Sequence, residues 1–283
     1  MTKSFILKII IGMDWFIKNF FRLEGADSAD CYFKPEHIIV STIITLLFIS
    51  LAIYFGLKYK DKDLKSKLKP IKVAAIIHLA TQFLWLIITL IRTRHDNTYW
   101  LEIFRVVLPL FMCDIQLIAI PIAAWGKGKA QQVSFDLCVV LGILTAFMGA
   151  WFNAGTFGNN QIWCFFTIHN YINHCVPGFV SIYLILVKLY SMRFKDIWLT
   201  IVVLCVFAAL ALIFDYAFDY NYMFFKRSSG TPFAIFEGWA NGNMFLYDLF
   251  VLLSMIVFIA IYYAIFELVL LINNKVKSKK ETA

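Results

Sequence analysis

Seven long apolar stretches constrain this chain more than any other feature of its sequence. Each has at least 20 residues, enough for a helix to cross a hydrocarbon core of about 30 Å at roughly 1.5 Å per residue. Because 61% of the residues are hydrophobic and 16% are charged, a soluble domain is excluded. We therefore predict an all-α polytopic membrane protein with a bundle of seven transmembrane helices. The predicted spans are residues 37–57, 71–91, 101–125, 133–152, 162–190, 197–218 and 244–272.

A further apolar stretch precedes the first span, at residues 5–21. Lys8, Asp14 and Lys18 interrupt it, and charges at such intervals are typical of an amphipathic helix lying in the membrane interface. Lys8 also argues against a cleaved signal peptide. We predict three segments, which are an interfacial segment (residues 1–36), the seven-helix domain (residues 37–272) and a basic tail (residues 273–283).

Lysine and arginine are distributed unequally between alternate connections. Connections on one predicted side, with the tail, carry 16 of them, and those on the other side carry 4. The positive-inside rule therefore predicts a cytoplasmic C-terminus and an outer N-terminus. Five further cations before His37 oppose this, so an N-terminal re-entry or an eighth span stays open. We interpret the net charge of +8 as membrane-orienting, with no nucleic-acid partner.

The six cysteines do not follow a metal-binding pattern. No two of them share a Cys-x-x-Cys spacing, and five lie in or against predicted spans, where a free thiol usually packs as a small hydrophobe. We therefore expect no disulfide framework, no metal site and no cofactor.

The third predicted span contains Cys113, Asp114 and Gln116 within an apolar run. Polar groups at such depth are usually kept for a function. If the third and fifth spans both begin at the outer surface, Cys113 and His174 each lie twelve residues inside and share one depth. A thiol and an imidazole at one depth can form a nucleophile and its general base.

The fifth span sorts its polar residues onto two faces. Asn170 and His174 are four residues apart and share one face, as do His169 and Asn173. We predict that Asn170 orients His174 as the base. A structural alternative stays open, in which the cysteine packs and these side chains make only interhelical hydrogen bonds.

Prolines and polar residues elsewhere in the spans add two expectations. Pro109 leaves the carbonyl of Arg105 without its helical donor, so this carbonyl needs another partner at depth. In the second span, His78 and Gln82 make structural hydrogen bonds or line an ion path.

A second polar group gathers toward the predicted outer side. An outward-opening vestibule that binds a ligand would account for these residues, whereas the simpler interpretation is that most of them mark span ends in water. The candidates are His37, Asp215, Asn221, Tyr222 and Asp248.

Three short motifs carry a resemblance to a known family. They are Phe-Lys-Pro-Glu-His at residues 33–37, Leu-Pro-Leu-Phe-Met-Cys at residues 108–113 and Asn-Tyr-Met-Phe-Phe at residues 221–225. Over residues 33–272 the chain resembles the YwaF family of bacterial integral membrane proteins. That family is similar to the eukaryotic transmembrane-protein-164 group, which is regarded as cysteine-dependent lipid acyltransferases. Where the family usually has a histidine two residues before the cysteine, this chain has Phe111. The base role then falls to His174, with His169 in reserve, or the protein has lost the chemistry.

Two functions from different classes follow. The resemblance implies a lipid acyltransferase or acyl hydrolase in a bacterial plasma membrane, with Cys113 as nucleophile and membrane lipids as partners. Such a reaction needs a donor to the oxyanion, which the sequence does not identify, and the amides of Gln116 and Asn173 are our candidates. The alternative is a transporter or ligand-binding membrane protein with a polar intramembrane cavity and no covalent chemistry. A purely structural role in a membrane complex is a third hypothesis.

Overall fold

The fold is built from helices throughout the part of the chain that can be described. The computed structural model describes residues 14–22, 29–93, 99–190, 192–229 and 231–281, and none of them lies in a strand. This confirms the all-α class. The longer helices of these residues are α1 (Pro35–Tyr59), α2 (Leu64–Thr93), α3 (Tyr99–Val107), α4 (Gln116–Trp125), α5 (Gly128–Trp151), α6 (Phe165–Val187), α7 (Ile197–Phe218) and α8 (Met244–Glu281).

Six of these described helices, namely α1, α2, α5, α6, α7 and α8, are long and apolar enough to cross a membrane. The chain is therefore a multi-pass membrane protein. The predicted third span, residues 101–125, is not a continuous helix: α3 ends at Val107 and α4 begins at Gln116. A bundle of seven continuous spans is thus corrected to six long helices and one broken apolar run among the described residues. The orientation of the termini stays a prediction.

The break in the third run has a local cause. Pro109 has no N–H to donate to Arg105, and its ring disfavours helical geometry at Leu108. The N–H of Leu110 turns back to the carbonyl of Leu108 at 2.9 Å. The chain regains helical geometry only through tight turns, in which the N–H of Gln116 reaches the carbonyl of Cys113 at 3.1 Å. Residues 108–115 therefore form an irregular loop inside the apolar run.

Helix α6 is the centre of the bundle. Of its most apolar stretch 78% is buried, against 11% for α1. Small residues let α5 approach it closely: a Cβ on Gly142 would lie 2.5 Å from the carbonyl oxygen of Pro177, and a Cβ on Gly178 would lie 2.6 Å from the Cβ of Ala146. Small side chains at a helix interface are a usual way for transmembrane helices to gain packing contacts.

The start of α1 is fixed to the end of α5 by a buried histidine. His37 accepts a hydrogen bond from the N–H of Phe33 at 3.0 Å, and its Nε2 donates to the carbonyl of Ala150 at 3.3 Å. Ser41, one turn further, donates to the same carbonyl at 2.9 Å. Both ring nitrogens of His37 are therefore engaged in positioning α1.

Only part of the predicted N-terminal segment can be compared. Residues 1–13 and 23–28 lie outside the described residues, as do residues 282–283 of the predicted tail. Asp14 begins a short helical stretch that continues as Phe16–Phe20, and the ring of Phe21 lies 6.0 Å from that of Phe165 at the start of α6. At the C-terminus, α8 continues to Glu281.

Cys31, in the segment before α1, is bonded to the connection between α5 and α6 and is not a reactive thiol. Its N–H donates to the carbonyl of Phe157 at 2.8 Å, and its side chain is buried. Burial raises the pKa of the Cys31 thiol to about 11. Since the thiolate is the nucleophilic form, Cys31 stays protonated and inert near neutral pH.

The close approach of α5 and α6 generates a stability prediction. We expect Gly142→Ala to lower the free energy of unfolding by about 1–3 kcal/mol, because a backbone carbonyl cannot move away from the added methyl group cheaply. Thermal unfolding of the purified protein in detergent measures this. Gly238→Ala is the control, since a Cβ there meets nothing within 4 Å. Equal melting temperatures for the two variants would contradict the packing described.

Candidate functional site

The break between α3 and α4 carries a thiol and a carboxylate side by side. Cys113 is half-buried and Asp114 is buried. The thiol donates to Oδ1 of Asp114 at 3.6 Å. The N–H of Asp114 bonds the carbonyl of Phe111 at 3.0 Å, so the turn fixes the backbone that holds both side chains.

A buried chain of hydrogen bonds leads from this carboxylate across the bundle. Nδ2 of Asn173 on α6 donates to Oδ1 of Asp114 at 3.0 Å. Its amide oxygen accepts from Nε2 of His78 on α2 at 2.6 Å. His78 is 1% exposed, and its Nδ1 has no partner among the described residues. Cys113, Asp114, Asn173 and His78 therefore form one connected polar chain, which we name the thiol chain.

A second chain of hydrogen bonds lies beside the thiol chain. In the thiol chain α2 supplies the histidine and α6 the amide, and in the second chain α6 supplies the histidine and α2 the amide. Here the histidine is on α6, and Nε2 of His169 donates to Oε1 of Gln82 on α2 at 3.1 Å. Nε2 of Gln82 donates to the carbonyl of Val106 at 2.7 Å. The ring of Trp85 lies 4.4 Å from that of His169. We name His169, Gln82 and Val106 the carbonyl chain.

The two chains follow from helix periodicity. Gln82 lies four residues after His78, and His169 lies four residues before Asn173, so two antiparallel helices pair them one turn apart. In each chain an amide accepts from a histidine and donates to the broken run. The carbonyl of Val106 has lost its helical donor, because Leu110 bonds elsewhere. Both chains thus supply polar partners to the break, which a break at membrane depth requires.

The other predicted face of α6 points to α5. A Cβ on Gly149 would lie 2.0 Å from the ring of His174, so the imidazole packs directly on that glycine. Nδ1 of His174 is buried and has no partner among the described residues. Asn170 donates to the carbonyl of Gly149 at 2.8 Å and accepts from Asn153 at 2.7 Å. Asn170 therefore holds the backbone against which His174 packs, and its described bonds do not go to the imidazole itself.

The equal depth predicted for Cys113 and His174 was counted along a continuous third span, and that helix is broken. Asp114 and Asn173, the sequence neighbours of Cys113 and His174, are hydrogen-bonded, and the equal depth of the thiol and the imidazole stays a prediction. Gln116, the other predicted oxyanion donor, is 0% exposed, and its Nε2 reaches the carbonyl of Leu137 at 3.4 Å. Its Oε1 has no partner among the described residues.

The motif at residues 221–225, which follows α7, contacts the break between α3 and α4. The hydroxyl of Tyr222 lies 3.4 Å from the carbonyl oxygens of both Phe104 and Arg105, so it is a donor within reach of the carbonyl that Pro109 releases. The ring of Phe111 lies 5.1 Å from that of Tyr222. Asn221 bonds the backbone of Lys226 and Arg227, so it shapes the connection that presents Tyr222.

Asp215 and Asp248, the two carboxylates that the sequence predicts toward the outer side, lie on α7 and α8. Asp215 accepts from the N–H of Tyr222 at 2.6 Å, and Asp248 accepts from the hydroxyl of Tyr216 at 3.1 Å. Each has a second, buried oxygen without a partner among the described residues. The described contacts of His37 are with other elements, near Ala150. Among the described residues, no group of three or more His, Cys, Asp or Glu side chains could hold a metal ion.

From the sequence alone we did not place His78 and Gln82 in the Cys113 site, although the sequence contains a pattern that could have done so. Both lie in an apolar run four residues apart, and this spacing repeats between His169 and Asn173 on α6. When each of two spans carries an amide and an imidazole four residues apart, the amide of one span can bond the imidazole of the other at both levels. The break itself is needed to join the pairs to Cys113.

Comparison with known proteins places these residues in a family. The family model described as the TMEM164 family matches residues 32–272. The chain belongs to the TMEM164 family. The match includes Cys113, both hydrogen-bonded chains and all three sequence motifs, and it leaves the N-terminal 31 residues outside. The YwaF assignment stays a prediction. No curated protein and no solved structure matches the chain significantly.

The carbonyl chain generates a second stability prediction. We expect Gln82→Leu to cost about 1–2 kcal/mol, because the carbonyl of Val106 and the N–H of His169 both lose a buried partner. Thermal unfolding in detergent is the measurement, with Gln161→Leu at an exposed position as the matched control. If Gln82→Leu were as stable as the wild type and the control, the carbonyl chain would not support the break.

Proposed function

We propose that this member of the TMEM164 family is a lipid acyltransferase or acyl hydrolase that uses Cys113 as its nucleophile within the bilayer. The observation that carries the proposal is the position of this thiol. It is half-buried at a break in a helix and bonded to the buried Asp114, whose other partner is Asn173. A cysteine that only packs against lipid needs no such polar surroundings.

The reaction proceeds in two acyl-transfer steps. Sγ of Cys113 attacks the carbonyl carbon of a lipid ester, the thiol proton passes to a base, and the alcohol leaves after it takes that proton. This leaves a thioester on Cys113. A hydroxyl group of an acceptor lipid, or water in the case of hydrolysis, then attacks the thioester and restores the thiol.

His174 is our candidate for the base. It is buried, and its Nδ1 is unpartnered among the described residues and so has a lone pair available for the thiol proton. Asn170 acts on it through Gly149, whose backbone it holds. Asp114 already accepts the hydrogen bond of the thiol and is the second candidate. A base within hydrogen-bond reach of the thiol contributes roughly 10²–10⁴-fold to the rate.

Asn173 is the preferred donor to the oxyanion. Its amide nitrogen points toward the break, where it donates to Asp114, whereas Gln116 points to the carbonyl of Leu137. An amide held at the reacting centre stabilises the negative charge that develops on the carbonyl oxygen. We place the enzyme in a bacterial plasma membrane with membrane lipids as substrates, and the support for the bacterial assignment is the resemblance to the YwaF family.

Turnover of a phospholipid with a fluorescent acyl chain tests the proposal. We expect Cys113→Ala to lower the rate by at least roughly 10³-fold, because the covalent intermediate is lost, and His174→Ala by roughly 10²-fold or more. Comparing His174→Ala with Asp114→Asn identifies which group takes the proton. The wild type should also show an acyl adduct on Cys113 by intact-protein mass spectrometry.

The matched control is Cys205→Ala, which removes another half-buried thiol on α7. It should keep wild-type turnover. Undiminished turnover in both Cys113→Ala and His174→Ala would remove the enzymatic proposal.

Two observations favour a second function, that of a transporter or ligand-binding membrane protein. Broken helices at membrane depth are common at transport sites, and unpartnered oxygens remain on Asp215 and Asp248. This function predicts uptake or binding that depends on Asp215, Asp248 or His78 and does not change in Cys113→Ala. The cysteine variant therefore separates the two proposals.

A further inference from the structure

Helix α2 presents two opposite faces. One face carries His78 and Gln82 into the bundle and is buried around Ala74. At roughly 100° per residue, the opposite face is formed by a second set of positions three and four residues apart. These are Lys65, Lys69, Lys72, Ile76, Leu79, Phe83, Ile87 and Leu90.

This opposite face, which we name the α2 stripe, is exposed at every position except Lys72, which is half-buried. Its residues lie within roughly 40° of one line along the helix. Ile76 is 57% exposed and Phe83 is 63% exposed, and Lys65 and Lys69 are exposed. The stripe is cationic at its first three positions and apolar at all the following ones.

The three lysines of the stripe have no ion pair among the described residues. The nearby acids are engaged elsewhere: Asp61 pairs with Lys60 at 4.0 Å, and a hydrogen bond from Ser66 holds the pKa of Asp63 below its usual range. Three cations directly above an apolar surface attract an anionic group that is itself attached to an apolar one.

The dimensions agree with a single lipid molecule. From Lys72 to Phe83 the helix rises roughly 16 Å, about half of a hydrocarbon core of roughly 30 Å. A headgroup at the lysines and an acyl chain along the apolar positions would therefore fill one leaflet. A second copy of the chain that met this face through its own stripe would bring six lysines together, which is unfavourable.

We propose that the α2 stripe is a binding site for an anionic phospholipid. The headgroup phosphate binds Lys65, Lys69 and Lys72, and one acyl chain lies along Ile76, Leu79 and Phe83. This site lies on the opposite side of α2 from His78, so it is separate from the Cys113 site and independent of the proposed reaction.

Native mass spectrometry of the full chain in detergent, with phosphatidylglycerol or phosphatidylcholine added, tests this. We expect phosphatidylglycerol to bind at least roughly tenfold more tightly than phosphatidylcholine. The variant Lys65→Gln/Lys69→Gln/Lys72→Gln should lose this preference. The control Lys58→Gln/Lys60→Gln/Lys62→Gln removes the same charge from exposed positions off the stripe and should keep binding within about twofold.

Three results would overturn the site. They are equal binding of the two lipids by the wild type, equal losses in the stripe and control variants, and a change of oligomeric state in the stripe variant without a change in lipid binding. The first two would indicate diffuse charge attraction, and the third a protein interface. If the stripe variant does not elute as a folded species, the single substitution Lys69→Gln replaces it, with binding expected to weaken roughly threefold.

Discussion

A break in a helix at membrane depth exposes backbone groups that lipid cannot satisfy, and the structure of this protein depends on how that demand is met. Pro109 ends α3, and the carbonyls of Arg105 and Val106 lose their helical donors. Tyr222 supplies a hydroxyl to the first and Gln82 an amide to the second. Without such partners each carbonyl would cost several kcal/mol in hydrocarbon. The break therefore determines which residues α2, α6 and the α7–α8 connection must carry.

Hydrogen bonds at the break also determine the surroundings of the thiol. Asn173 holds Asp114, and Asp114 accepts from the thiol of Cys113, so the thiol sits in a defined position. Had residues 101–125 continued as one helix, Cys113 would project from a regular surface, and its neighbours would be set by the helix period alone. The irregular loop instead turns Phe111 toward Tyr222 and leaves the thiol beside a carboxylate.

The sequence predicted much of this arrangement because membrane helices leave strong local signals. Apolar length predicted the six long helices, and the four-residue spacing on α6 correctly separated His169 and Asn173 from Asn170 and His174. Pro109 predicted a released carbonyl at Arg105. The extent of the break was not predicted, because a proline in a transmembrane helix often only bends it, and partners from distant helices decide between the outcomes.

The partners themselves required the fold. His78 and Asn173 are separated by 95 residues. Periodicity predicts which residues share a face of one helix, but it does not predict which other helix packs against that face. His174 illustrates the limit. Its spacing from Asn170 predicted a direct contact between the two side chains. In the structure both side chains contact Gly149 instead: Asn170 donates to its carbonyl, and the ring of His174 packs on its Cα. The glycine at the interface of α5 and α6 therefore allows a contact with the imidazole that the spacing along α6 alone does not predict.

The bond between Asn173 and Asp114 joins the broken run to the centre of the bundle, and a double-mutant cycle measures it most directly. Thermal unfolding of Asn173→Ala, Asp114→Ala and the double variant, in the same detergent as the wild type, gives the coupling energy. We predict a coupling of about 0.5–2 kcal/mol in favour of the wild-type pair. Strictly additive effects of the two substitutions would contradict the account, because the two side chains would then not support each other in the folded protein.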